Sequence, residues 1–159
     1  MHSFRTSRIV KHSPTEMFDL VADVERYPEF VPLCESLLVR SRESDGVSAQ
    51  VLVASMTVGY GPLCETFTTR VRLDRAASEI TTSNISGPFQ RLNNVWHFRP
   101  HASGCQVDFA IDYAFRSMAL ELLMGGLFDK AFRKFAQAFE ARADLVYGPP
   151  PDAPAFTQA

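Results

Sequence analysis

Residue types that could carry out chemistry are sparse in this chain and lie far apart. His97 and His101 are four residues apart, a spacing that binds metal on a helix, but they lie at the end of a predicted strand and beyond Pro100. The cysteines form no CxxC pair, which favours a reducing compartment and buried thiols over a disulfide framework. They are Cys34, Cys64 and Cys105. With no nucleophile elbow and no phosphate-binding glycine loop, we predict no catalytic residue, no metal and no required cofactor.

Two polar residues are predicted to lie among apolar ones on the covered face of a strand. By strand parity, Glu65 shares a face with Phe67, and Asn94 shares a face with Trp96. A buried carboxylate needs a partner, so Glu65 and Asn94 are candidates to contact a polar group of a bound molecule. Alternatively, Glu65 lies at the frayed start of its strand and is solvated. An enzyme would need an acid–base pair in its pocket, for which the sequence offers only weak candidates.

A glycine pair, Gly125-Gly126, interrupts the last predicted helix. Each glycine inside a helix costs about 1 kcal/mol relative to alanine, so the pair needs a reason. One interpretation is close packing of the helix on the sheet. The other, which we favour, is a hinge that lets the first turns of the helix lift and admit a ligand.

The stretch YPEFVPLC, residues 27–34, stiffens a turn with Pro28 and Pro32 and carries large apolar side chains. In one interpretation these side chains complete the core, as most apolar residues beside a strand do. In the other they form the mouth of a pocket whose rim the prolines fix. The mouth residues would be Tyr27, Phe30, Val31 and Leu33.

The periodicity of the chain predicts the elements that must position these residues. We predict a strand at 3–10, a helix opened by a capping box of Ser13 and Glu16, and a second short helix at 23–27 stopped by Pro28. Alternating segments then predict strands at 36–43, 47–58, 63–74, 78–85, 90–99 and 104–116. One long helix follows at 118–147. This order predicts an α+β fold in a single domain, 1–148, followed by a Pro-rich disordered tail, 149–159.

Composition and charge exclude several classes of protein. The 159 residues include 13 Phe but one Trp and four Tyr, and Phe rings need a dry place because they have no polar group. The net charge of −2 gives no basic bias toward nucleic acid. No segment is apolar enough to span a membrane, and the N-terminus lacks the apolar region of a signal peptide. We therefore expect a cytoplasmic protein.

Three segments carry a resemblance to a known family. YPEFVPLC (27–34), GPFQRLNNVWHF (87–98) and CQVDFAIDYAFRS (105–117) resemble signature segments of the coenzyme Q-binding START-domain family. That family is part of the polyketide cyclase/dehydrase (SRPBCC) superfamily. The resemblance implies a helix-grip (START/Bet v 1-like) fold, in which a curved antiparallel sheet of about seven strands wraps around a long C-terminal helix, with two short helices after strand 1.

The resemblance further implies a hydrophobic tunnel between sheet and helix that holds ubiquinone (coenzyme Q) or a related lipid. Such a protein would act as a carrier or chaperone in respiratory electron transport, without catalysis. The tunnel wall and mouth would comprise Tyr27, Phe30, Val31, Leu33, Phe67, Phe89, Leu92, Trp96, Phe98, Phe109, Tyr113, Met124, Leu127, Phe128 and Phe132. Glu65 and Asn94 would be the polar contacts, and Gly125 and Gly126 the hinge.

Alternatives to the carrier function stay open. The same family contains RatA-like toxins, which would bind the large ribosomal subunit and inhibit subunit association. A cyclase- or dehydrase-like enzyme is the third alternative. The start of the long helix is apolar on more than one face, so a lipid, a partner or the inner face of the cytoplasmic membrane must cover it. The sequence gives no oligomeric state.

Overall fold

The structure is a computed structural model and describes residues 1–148, so the predicted disordered tail lies outside the described residues. The elements follow one another in the predicted order. They are β1 (His2–Val10), α1 (Pro14–Ala22), a 3-10 turn (Val24–Glu29), β2 (Cys34–Asp45), β3 (Ala49–Tyr60), β4 (Leu63–Asp74), β5 (Glu79–Ser86), β6 (Phe89–His101), β7 (Gly104–Phe115), α2 (Met118–Arg133) and α3 (Phe135–Tyr147).

The strands form one seven-stranded antiparallel sheet in the order β1-β7-β6-β5-β4-β3-β2. Successive strands from β2 to β7 are neighbours, and β1 adds to the outer edge of β7. Burial alternates strictly along β7, from Cys105 to Phe115, because its odd positions face the helices and its even positions face away. The helix-grip α+β fold predicted from the resemblance is confirmed.

Helix α1 begins as its sequence predicts. The Ser13 hydroxyl accepts from the Glu16 backbone N–H at 3.1 Å, and the Glu16 carboxylate accepts from the Ser13 N–H at 2.9 Å. This capping box satisfies two N–H groups that the first turn leaves unpaired. The buried face of α1, which includes Met17 and Val21, then packs into the core.

The second short helix differs from its prediction, because Pro28 does not stop it. The 3-10 turn passes through Pro28 to Glu29, and the N–H groups of Phe30 and Val31 then both bond to the Tyr27 carbonyl, at 3.1 and 2.8 Å. Proline lacks an N–H, but a 3-10 turn this short loses only one bond at that position.

The predicted long helix consists of two helices. Helix α2 ends at Arg133 and α3 begins at Phe135, with Lys134 between them. The Lys134 N–H bonds back to the carbonyls of Ala131 and Phe132, which tightens the last turn of α2. Neither glycine nor proline marks this break, whereas Gly125 and Gly126 lie within uninterrupted α2. The prediction of one continuous helix over 118–147 was therefore wrong at Lys134.

Candidate ligand-binding site

An enclosed cavity of about 80 Å³ lies between the inner face of the sheet and its helical cover. Strands β2 to β7 form its wall, and the 3-10 turn, α2 and α3 form its roof. The lining side chains are apolar except for Thr69, Thr82, Asn94 and the Tyr27 hydroxyl, and none of them carries a charge at neutral pH. The cavity therefore suits an uncharged, mainly apolar ligand.

A larger depression of about 720 Å³ lies elsewhere, between α1 and the β2–β3 hairpin. Its lining includes the charged residues Asp19, Asp23, Arg42 and Arg75, and it is open to solvent. Arg75 is already paired there with Asp19 at 2.7 Å. Because ligand sites are concave and mostly apolar, we assign the candidate site to the enclosed cavity.

Aromatic rings close the roof of the cavity. The Phe139 ring lies edge-on against Trp96 in the wall and against Tyr27 in the 3-10 turn, at centroid distances of 5.0 and 5.3 Å. The Tyr27 hydroxyl donates a hydrogen bond to the Val21 carbonyl. Burial, with smaller effects from Cys34 and Asp23, raises the pKa of Tyr27 far above its ordinary value. Tyr27 is therefore a neutral part of the roof.

A latch of Glu29, Phe30 and Arg142 joins the 3-10 turn to α3. The Arg142 guanidinium donates to the Glu29 carboxylate at 2.5 Å and lies over the Phe30 ring, 5.0 Å from its centroid. The Phe30 ring also packs on Phe139, with centroids 5.0 Å apart. Hydrogen bonds from Arg26 and from Arg142 lower the pKa of Glu29, so the latch is charged at neutral pH. Opening the roof on this side requires the latch to break.

The structure brings part of the predicted wall to this cavity. These residues come from the 3-10 turn, from β4 and β6, and from the end of α2. They are Tyr27, Phe67, Leu92, Asn94, Trp96 and Phe132.

Other predicted wall residues lie in the packed core beyond the cavity. They are Phe89, Phe98, Phe109, Tyr113, Met124 and Phe128. The Phe89 ring, for example, lies 5.2 Å from the Phe128 ring and 5.1 Å from the Phe115 ring, which leaves no space between them. Strand parity predicts which face a side chain occupies, but it does not predict where along that face a void remains.

Of the four predicted mouth residues, Tyr27 lines the cavity, whereas the other three lie beside it. Val31 is buried in the core, and Phe30 is half-buried in the latch. Leu33, with a φ of +68°, adopts the left-handed conformation that is uncommon for non-glycine residues, and it faces an outer groove together with Leu127. As contacts to a ligand, these residues stay predictions.

Further lining residues escaped the sequence prediction. They are Val24, Leu37, Met56, Thr69, Val71, Ile80, Thr82, Ile111, Phe135 and Phe139. A signal existed for the helical ones, because Phe135 and Phe139 lie three and seven positions after Phe132 and so share its face. A signal also existed in β4, where Thr69 and Val71 continue the parity of Phe67.

The two candidate polar contacts have different surroundings. Asn94 lines the cavity, and its side-chain nitrogen donates to the Ala110 carbonyl at 2.9 Å. Glu65 lies opposite Val58 near the start of β4, half-exposed and outside the cavity. Its placement matches the alternative that we left open, a partly solvated carboxylate at the beginning of a strand.

The three cysteines also differ in their surroundings. Burial raises the pKa of the Cys34 and Cys105 thiols to about 11, as expected for buried apolar side chains. Cys64 is exposed, so the expectation of a buried thiol was wrong there. Within residues 1–148, no group of three His, Cys, Asp or Glu side chains could hold a metal ion.

Gly125 and Gly126 differ in their surroundings. A Cβ atom on Gly125 would collide with the Glu121 carboxylate, which pairs with the His2 ring nitrogen at 2.7 Å. Gly125 therefore makes room for a hydrogen-bonded contact between β1 and α2. A Cβ atom on Gly126 would meet nothing within 4 Å. The hinge stays a prediction, and the break at Lys134 lies directly beside the cavity-lining residues Phe132 and Phe135.

An outer groove of about 610 Å³ lies on the opposite side of α2. Leu33, Tyr60 and Leu127 form its apolar part, and Lys130 and Lys134 lie at one side. Next to it, the first turns of α2 expose large apolar side chains, with Leu122 80% exposed. They are Met118, Leu122 and Leu123. No helix within the described residues is long and apolar enough to cross a membrane.

Together, the gripping sheet, the enclosed apolar cavity and the aromatic roof define a helix-grip protein with a candidate ligand site. The model of one family, polyketide cyclase/dehydrase and lipid transport, matches residues 10–140. The chain belongs to this family.

Individual relatives divide between two functions. The chain is 34% identical to the ribosome association toxin RatA of Rickettsia prowazekii, over 92% of this chain and 99% of the relative. It is 30% identical to a mitochondrial coenzyme Q-binding protein of Xenopus laevis, over 91% of this chain and 59% of the relative. The solution structure of an 18 kDa protein from Caulobacter crescentus is similar, with 37% identity, a TM-score of 0.75, and coverage of 92% and 99% of the two chains.

Proposed function

We propose that this protein binds an uncharged, mainly apolar ligand of the ubiquinone type without covalent chemistry and carries it between sites. The observation that carries the proposal is the enclosed apolar cavity under an aromatic roof. The name of the Xenopus laevis relative, a coenzyme Q-binding protein, supports the quinone class. Supply of quinone to respiratory electron transport is the role that follows from such binding.

The cavity must enlarge before such a ligand can enter. Benzene binds in an engineered apolar cavity of about 150 Å³, so a cavity of about 80 Å³ is too small for one substituted ring. In this proposal the described state is the closed one. The latch and the break at Lys134 both border the roof, and we propose that the roof opens between the 3-10 turn and α3.

Burial of apolar surface would supply the affinity. Each Å² of apolar surface removed from water contributes about 25 cal/mol, so a polyprenyl tail needs no specific polar contact to bind. An apolar wall of this kind discriminates weakly between tails of different length, because one methylene changes affinity little. We therefore propose a ligand class rather than a single tail length.

The chemistry of the lining favours binding over catalysis. General acid–base catalysis needs a group that can gain or lose a proton near neutral pH. Tyr27 is the titratable side chain in the lining, and burial raises its pKa away from neutrality. The family name includes cyclases and dehydrases, but among residues 1–148 the cavity lining offers such an enzyme no carboxylate or imidazole.

Trp96 provides a direct test, because it is the single tryptophan of the chain and lines the cavity. Titration with a decyl-tailed ubiquinone analogue should quench its fluorescence to saturation. Free N-acetyltryptophanamide, titrated in parallel, corrects for quenching by collision. Saturable quenching beyond that control supports the proposal, whereas quenching equal to the control contradicts it.

The second candidate function is binding of the large ribosomal subunit. It is favoured by the similarity to a RatA protein along nearly the full length of both chains. Lys130 and Lys134 are exposed beside the outer groove and would be the candidate contacts to ribosomal RNA. Co-sedimentation with the large subunit should then fall with rising salt and with the Lys130→Ala, Lys134→Ala double substitution. Absence of co-sedimentation at low salt would remove this candidate.

The carrier proposal includes a location in the cytoplasm with contact to the inner face of the membrane, where an apolar ligand would be collected. The exposed Met118, Leu122 and Leu123 supply an apolar surface for that contact. Flotation with lipid vesicles should be lost when Leu122 and Leu123 are replaced by Ser. Equal flotation of the variant would contradict the contact.

A further inference from the structure

Four polar side chains lie close together on the inner face of the sheet. Thr69 of β4 lies opposite Asn84 of β5, and Thr82 of β5 lies opposite Asn94 of β6. The four side chains share the inner face, and Thr69, Thr82 and Asn94 line the cavity. Asn84 lies two residues after Thr82 on the same face, just outside the set of lining residues. Apolar side chains surround this group, so its hydrogen-bonding capacity needs an explanation.

Asn84 presents a buried acceptor. Its side-chain nitrogen donates to the Phe89 carbonyl at 3.1 Å, and this hydrogen bond assigns the nitrogen and oxygen positions of the amide. Its Oδ1 is buried and has no hydrogen-bond partner within residues 1–148. A buried carbonyl oxygen without a hydrogen-bond donor lowers stability. The register partner of Asn84 on β4 is Thr69, which lines the cavity.

Asn94 is anchored in the same way. Its side-chain nitrogen donates to the Ala110 carbonyl at 2.9 Å, so its amide is also oriented through the nitrogen. The atom that remains as a strong acceptor is Oδ1. Two asparagines on neighbouring strands are thus tied to the backbone by their donors and offer acceptors to the interior.

We propose that this cavity selects ligands whose uncharged polar end carries an aromatic hydroxyl, which donates either to Asn94 in the lining or, once the roof opens, to the buried Oδ1 of Asn84. This inference rests on the proposed function, because it assigns the head group of the same ligand. An ionised head group is disfavoured, since the lining that the described residues form holds no charged side chain to compensate it. Within the quinone class, the preferred form is the reduced hydroquinone, which has hydroxyl donors where the quinone has carbonyl acceptors.

A matched pair of ligands measures how much the aromatic hydroxyl contributes to binding. The phenol 4-hexylphenol and its methyl ether 4-hexylanisole share ring and tail, but only the phenol donates a hydrogen bond. Both are titrated against Trp96 fluorescence. One net hydrogen bond changes affinity by about 2- to 13-fold, so we expect the phenol to bind tighter by a factor in that range.

Substitutions of the two asparagines test whether they cause the preference for the phenol over its methyl ether. Asn84→Leu and Asn94→Leu should each reduce the ratio of the two dissociation constants toward unity. Asn93→Leu is the matched control, because Asn93 is the exposed neighbour on the outer face of β6 and should keep the ratio. If either Leu variant fails to fold, Asn84→Thr or Asn94→Thr replaces the amide with a smaller group, and the ligand pair still tests the wild type.

Each outcome decides the inference. A tighter phenol in wild type, with the preference lost in the asparagine variants, supports it. Equal binding of phenol and ether overturns it while leaving the proposed function intact. A preference that survives in all the asparagine variants overturns the assignment to these residues. Binding of neither ligand overturns both the inference and the proposed function.

Discussion

Two ends of the same sheet face differ in how completely aromatic rings fill them. At one end, which we call the filled end, the rings of Phe89, Tyr113, Phe115 and Phe128 contact one another at centroid distances of 5.1 to 5.9 Å. At the hollow end, the rings of Tyr27, Trp96, Phe135 and Phe139 surround the cavity.

The comparison shows that residue type alone does not decide between core and site. Both ends use aromatic side chains from the sheet and from its helical cover. The filled end is covered by uninterrupted α2, whereas the hollow end is covered by a 3-10 turn and by the junction of α2 with α3. Short and broken elements open at lower cost than a continuous helix, so we expect the cover over the void to move more readily than the cover over the filled end.

The largest effect should come from emptying the filled end. Phe89 is 1% exposed and contacts four rings, so Phe89→Ala should lower the free energy of unfolding by about 3–5 kcal/mol. Denaturant unfolding measures this loss. Phe135→Ala at the hollow end is the matched variant and should cost less, because Phe135 is only half-buried. Equal losses would contradict the division into two ends.

Filling the hollow end should raise the free energy of unfolding instead of lowering it. Val71→Ile adds one methyl group toward the cavity and should raise the free energy of unfolding by about 0.8 kcal/mol. The same change should weaken ligand binding in the Trp96 titration, because it occupies space that the ligand needs. Loss of stability together with unchanged ligand affinity would show that the cavity is not the binding site.

A smaller effect should distinguish the two candidate hinges, the Gly125-Gly126 pair and the break at Lys134. Gly126→Ala meets open space, so it should stabilise α2 by about 0.5–1 kcal/mol. If the roof moves about Lys134, as we now expect, ligand exchange in stopped-flow fluorescence should keep its rate. Slower exchange would instead support the hinge at the glycine pair.

The latch should give the smallest change, seen in rate and pH dependence. The pKa of Glu29 is lowered by Arg26 and Arg142, so its contribution is present above the ordinary value of 4.5 and is lost as the pH falls through the lowered pKa. Ligand exchange should be constant from neutral pH down to about pH 5 and accelerate below it. Glu29→Gln should exchange ligand several-fold faster at neutral pH and lose this acid response.

Arg26→Ala is the control for the latch. Arg26 bonds to Glu29 at 2.9 Å but does not reach α3, so its removal leaves the contact across the roof in place. Faster exchange in Arg26→Ala to the same extent as in Glu29→Gln would remove the latch from the opening mechanism.

The sequence predicted the fold well because its signals are local. The capping box of Ser13 and Glu16 set the start of α1, and the alternation along 105–115 set the faces of β7. The break at Lys134 had no such signal, since it lies among good helix formers without glycine or proline. The position of the cavity could not be predicted from the sequence either, because a void depends on how side chains from many strands fill space together.

The account depends most on the claim that the cavity holds a ligand. The most direct measurement is mass spectrometry of an organic-solvent extract of the protein, purified from a quinone-producing host alongside Val71→Ile. We predict a quinone or other neutral lipid in stoichiometric amount with wild type and less with the variant. A folded protein that yields no lipid and takes up no added quinone would contradict the account and leave ribosome binding as the function to test.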